Sequence, residues 1–118
     1  MKTEEKLLKI VQRLDAKTQA GEIRWEQTGR SNVFQTAFPS YVVKLTSTRN
    51  REGFDDEDII VSIVDESGLI LESASDVDIK KAFPAVEAYA TMKRLYDLAR
   101  REALGVDAAL DSLLGELD

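Results

Sequence analysis

The chain has no histidine and no cysteine among its 118 residues. The commonest general base, the commonest metal ligand and the most reactive nucleophile are therefore missing. Most familiar catalytic constellations are excluded with them, and the chain is read as a non-enzyme without a cofactor. The missing cysteine also fits a reducing compartment. There is no apolar run near the roughly 20 residues needed to cross a bilayer. The N-terminus, Met1-Lys2-Thr3-Glu4-Glu5-Lys6, leads into a charged helical pattern rather than the uninterrupted apolar stretch of a signal peptide. A cytoplasmic protein is expected. No G-x-S-x-G elbow, S-x-x-K pair or phosphate-binding glycine loop occurs, and Gly29 and Gly105 stand alone.

Basic charge is also in short supply, since the formal net charge is -6. Binding to a phosphate backbone usually needs a clustered basic face. Arg49 and Arg51 are followed at once by Asp55, Asp56, Glu57 and Asp58. Lys93, Arg94, Arg100 and Arg101 form a second group on a predicted helix. Neither group has interleaved aromatics, so nucleic acid is not the expected partner.

What is present suits a single globular domain spanning 1–118. With 43% hydrophobic and 32% charged residues the chain falls among folded proteins, large enough to need no disulfide or metal. Residues 4–20 read as an amphipathic helix with Leu7, Val11, Leu14 and Thr18 on one stripe. Thr3 is the expected N-cap and Gly21 the left-handed terminator. The period then changes to two. Strands are expected at 23–27, 34–38, 41–46 and 59–64, with a hairpin turn at Asp65-Glu66-Ser67-Gly68 and a returning strand at 69–72. Residues 47–58 form the longest polar connection.

Ser75 and Asp78 have capping-box spacing. A short turn is expected over 76–82, then a main helix from about Pro84, ended by Gly105. A last short helix follows with Asp107 as N-cap. The fold expected is α+β: an N-terminal helix, a four- to five-stranded antiparallel meander, then a long helix and a short one. Trp25, Val43, Leu45, Ile59, Val61, Ile63, Leu69 and Leu71 should line the sheet side of the core. Leu7, Val11, Leu14, Val86, Tyr89 and Tyr96 should line the helix side.

Two places invite function. Leu110, Leu113, Leu114 and Leu117 repeat at i, i+3, i+4, i+7 beside Asp107, Asp111, Glu116 and Asp118. A helix this short is marginal alone in water, so it docks on its own body, on a partner or on a second copy. An acidic helix is a poor fit to an anionic membrane. The second place is the 47–58 loop with Trp25. Trp25, Asp55, Asp56 and Asp58 are the candidate ligand-binding residues for a small molecule or cation. Against this, the acids are consecutive rather than alternate, and calcium loops space their ligands. Asp76 and Asp78, at a strand-to-helix junction, read as caps rather than a catalytic pair.

Trp25-Glu26-Gln27-Thr28, then Phe34-Gln35-Thr36-Ala37-Phe38-Pro39, then Ala99-Arg100-Arg101-Glu102-Ala103-Leu104-Gly105-Val106 resemble a group of small bacterial proteins to which no activity is assigned. The resemblance runs from the first strand to the C-terminus. It implies a bacterial or phage-borne cytoplasmic protein and carries no catalytic residue across. The composition and the leucine stripe together point to a non-catalytic interaction module of the adaptor, immunity-type inhibitor or chaperone-like kind, with a protein partner or a homodimer.

Overall fold

A computed structural model describes residues 2–49 and 57–118. The order is α1 (Thr3–Gln19), β1 (Glu26–Gln27), β2 (Val33–Ala37), β3 (Tyr41–Arg49), β4 (Glu57–Asp65), β5 (Ile70–Ser75), α2 (Asp76–Ala82), α3 (Ala88–Leu104) and α4 (Val106–Leu117). The five strands pair in sequence order, each antiparallel to the next. The helices α1, α2 and α3 share one core with the sheet face that carries Phe34, Val43, Leu45, Ile59, Val61 and Ala74. No described helix is long and apolar enough to cross a membrane.

Local signals account for most boundaries. Gly21 at φ 74° lets the chain leave α1, and Gly68 at φ 91° closes the β4–β5 hairpin, where its N–H donates to the Asp65 carbonyl at 3.1 Å. Ser75 and Asp78 form the complete reciprocal capping box of α2.

The structure departs from the sequence reading at several places. Strand β1 holds only Glu26–Gln27. Ile23 and Trp25 are buried with Arg24 exposed between them, but the pairing with β2 begins only at Glu26. The alternation therefore reports burial under α1 rather than a hydrogen-bonded ladder. Residues 76–82 form a helix rather than a turn. The next helix begins at Ala88, and Pro84 lies in the link between the two. There Val86 N–H donates to the Phe83 carbonyl, and Lys80 Nζ donates to the carbonyls of Pro84 and Val86. Phe83 and Val86 pack against the core, which sets the course of this link.

Leu69 and Leu71 are solvent-facing rather than core residues, 61% and 49% exposed. The register explains why. Ile63 pairs with Glu72, but Val64 pairs with Ile70, so Leu71 is the extra residue of an irregularity. In β5 only Ala74, opposite Val61, is buried in the core. Tyr89 is also exposed rather than buried; its hydroxyl reaches Glu57. Lys2 rather than Thr3 occupies the α1 N-cap position, without a side-chain bond. Gly105 takes the α4 N-cap position assigned to Asp107, whose carboxylate instead meets Arg101 at 2.6 Å.

Candidate interaction surface

Helix α4 contributes no buried residue. Only Val106 is half-buried; every residue from Asp107 onward is exposed. The chain's radius of gyration is 15.4 Å, against about 13.5 Å for a typical compact domain of this length. A projecting C-terminal helix accounts for such an excess. Its direction is set at Gly105, the single left-handed residue (φ 62°, ψ 39°) separating α3 from α4. Left-handed backbone is nearly free for glycine and costly for side-chain-bearing residues.

The four leucines form one stripe along α4, with Leu110 and Leu113 50% exposed, Leu114 63% and Leu117 73%. At 3.6 residues per turn, Asp107 and Asp111 fall on one flank of the stripe and Glu116 beyond the other. No basic residue follows Arg101. The helix thus offers apolar surface with an acidic border.

The other candidate region divides. Trp25 is only 3% exposed, and its indole Nε1 donates to Thr18 Oγ1 at 3.0 Å. It is a core residue beneath α1 and has no face left to stack on a ligand, so the expectation of a Trp25-lined site is overturned. Asp58 is exposed on β4, opposite Thr48. Asp55 and Asp56 lie outside the described residues. Among the described residues no three carboxylates gather where a metal ion could be held. Asp76 Oδ1 accepts from the Ile59 N–H at 2.8 Å, and Asp78 completes the capping box. Burial, opposed by that N–H bond, pushes the Asp76 carboxyl up.

A polar cluster that the sequence reading did not assemble sits where β4 begins. Glu57 accepts from Ser47 Oγ, from Lys93 Nζ at 3.0 Å and from the Tyr89 hydroxyl at 3.3 Å. Lys93 also meets Asp97 at 3.3 Å and lies 5.5 Å from the centre of the Tyr96 ring. Burial alone would push the Glu57 carboxyl up. The Ser47 and Lys93 bonds, the lysine charge and the Tyr89 bond outweigh it and hold the carboxyl below its usual range. Lys93, also desolvated, is held above its usual value by Glu57 and Asp97. Both groups therefore stay charged at neutral pH. The cluster ties β4 to α3 and borders an open pocket of about 590 Å³, which Ser31, Asn32 and Arg100 also line. The partners of Glu57 lie 10 to 36 residues from it in sequence, so no local spacing could reveal them.

A second unforeseen feature was legible in the spacing. Lys2, Lys6, Lys9, Arg13 and Lys17 are all exposed and recur every three or four residues on the side of α1 opposite its buried stripe. They form a basic ridge on an acidic protein, about 22 Å long at 1.5 Å per residue. Whole-chain charge and a search for consecutive basic residues both conceal it.

Comparison of the chain with protein families, with curated proteins and with solved structures finds no match.

Proposed function

We propose that this protein is a small, non-catalytic protein-interaction module whose docking element is α4. The observation that carries the reading is the leucine stripe of a helix that buries nothing on its own body. The exposed fractions of the four side chains amount to more than two whole leucines. At ~1.5–3 kcal/mol per leucine buried, covering them would contribute roughly 4–7 kcal/mol before association costs. The acidic border favours a partner surface with basic side chains at its rim. An adaptor, an inhibitor of the immunity type or a chaperone-like protein acting in the cytosol would each use such an element.

The test compares the wild type with a Leu113→Asp, Leu117→Asp double variant. Both positions are exposed, so circular dichroism should show the variant folded. The reading expects an assembly, with a partner or with a second copy, that the wild type forms and the variant does not. Equal assembly by both forms, or none by either, would overturn it.

The pocket beside Glu57, Lys93 and Arg100 is the observation behind a second reading, a polar small-molecule site at this end of the sheet. Its charged groups are largely paired with one another, which favours a structural role. A metabolite that raises the melting temperature of the wild type but not of an Arg100→Ala variant would reverse that preference.

A further inference from the structure

We infer that the partner of α4 is a second copy of this chain, with the acidic α4 of each protomer lying along the basic ridge of the other protomer's α1. The inference rests on the interaction reading above and names its partner. Charge complementarity carries it. The ridge Lys6, Lys9 and Arg13, continued by Lys17 where it meets Glu22 at 3.5 Å, is a concentrated basic line in a protein of net charge -6, and α4, with Asp107 held by Arg101 and with Asp111, Glu116 and Asp118 beyond it, has no base at all. Their lengths agree: α4 spans about 18 Å and the ridge from Lys6 to Lys17 about 17 Å. Their placement agrees as well. The groove at the α3–α4 elbow is lined by Thr18 and Gly21 from the end of α1 together with Gly105, Asp107 and Ala108. Helix α4 therefore leaves the body beside the C-terminal end of α1, where the basic ridge ends at Lys17. The exchange is reciprocal, so the assembly closes as a dimer. The leucines would rest on Ala16, Ala20 and the aliphatic stems of the ridge side chains, which can cover apolar surface while their charged ends reach the carboxylates.

Pairing of α4 with its own copy fits less well. In an antiparallel two-fold pair like flanks meet, so the flank carrying Asp111 and Asp118 would face the same acidic flank of the other protomer. A phosphate backbone fits less well too, because the net negative charge of the whole molecule opposes it.

Charge exchange tests the inference, read by analytical ultracentrifugation of the full chain at micromolar concentration. The wild type should sediment as a dimer at low salt and dissociate as salt rises. A ridge variant (Lys6→Glu, Lys9→Glu, Arg13→Glu) and a tail variant (Asp111→Lys, Glu116→Lys, Asp118→Lys) should each be monomeric and, by circular dichroism, folded. Mixed one to one, they should form a heterodimer, because each acidic helix again finds a basic one. A monomeric wild type would overturn the inference. So would a dimer indifferent to the ridge variant, or a mixture that stays monomeric. If the Leu113→Asp, Leu117→Asp variant loses the dimer while the ridge variant keeps it, α4 remains the docking element and only its placement on α1 fails. Retention of a monomeric wild type on random-sequence duplex DNA, lost in the ridge variant, would assign the ridge to a polyanion instead.

Discussion

Arg94 on α3 grips Asp15 on α1 with two hydrogen bonds, Nη2 to Oδ2 at 2.6 Å and Nε to Oδ1 at 3.2 Å. Asp15 is buried, and its Oδ2 also accepts from Gln19 at 3.1 Å. The fork of a guanidinium matches a carboxylate in a way an ammonium does not. Arg94→Ala leaves a desolvated carboxylate facing α3 and should lower the melting temperature. Arg94→Lys should lower it by less, and Asp15→Asn should rank between wild type and Arg94→Ala. Differential scanning calorimetry on the three variants checks the order. Equal effects of Ala and Lys would show that the bidentate geometry contributes nothing.

The indole of Trp25 is enclosed, with its N–H held by Thr18. Its fluorescence should be blue-shifted and resist quenching by iodide, and no added ligand should alter it by direct contact. Thr18→Val leaves the indole N–H without its partner and should cost about 1–3 kcal/mol, measured by urea titration. Emission at the wavelength of a solvated indole would contradict the burial.

Asp76 Oδ1 accepts the hydrogen bond of the buried Ile59 N–H. Asp76→Ala removes the acceptor of a buried backbone N–H and should cost about 1–3 kcal/mol. Asp76→Asn keeps an oxygen there and removes a charge whose burial is unfavourable, so it should cost clearly less. Equal losses would place the stabilisation in the negative charge at the start of α2 rather than in the bond.

Glu57 makes stability depend on acid. Its carboxyl is held below the ordinary 4.5 in the folded state. The stabilisation is therefore complete above the unfolded value and disappears as the pH falls from about 4.5 through the folded one. Glu57→Gln should be less stable than the wild type at neutral pH and should lose less on acidification. Urea midpoints at about pH 7, 5 and 3 measure both. Parallel curves for the two proteins would show that Lys93, Ser47 and Tyr89 give the carboxylate no net preference.

Gly105 decides where α4 points. Alanine in its left-handed conformation costs about 1–2 kcal/mol, and α4 buries nothing that opposes a change of direction. Gly105→Ala should therefore let α3 run on into α4. Measured in the monomeric ridge variant, the substitution should hardly change the melting temperature, while small-angle scattering should give a radius of gyration above that of the same variant with Gly105 in place, for which the single chain has 15.4 Å. An unchanged radius with lowered stability would mean that the Arg101–Asp107 pair holds the elbow.

Several elements were legible because their cause is local. The Ser75–Asp78 box and the glycines at 21, 68 and 105 each act within one turn, and their residue types suffice. The meander followed from strands with short connections. Leu69 and Leu71 were misassigned because alternation carries no mark of the residue at which pairing slips. Pro84 suggested a helix start, yet the need to bury Phe83 and Val86 set the true one at Ala88. Of the interaction surface, the leucine period and its acidic border could be read directly. That none of the described residues buries it could not.

By itself, the sequence determined which faces are apolar, which are charged and where the backbone can reverse, since those properties depend on residues within a turn or two. The tertiary structure alone decided what each face meets. Burial of Trp25 under Thr18, the gathering of Ser47, Glu57, Tyr89 and Lys93, and the projection of α4 past Gly105 all depend on distances between residues remote in sequence. Such distances are set by packing the whole chain around one core, and no local pattern contains them.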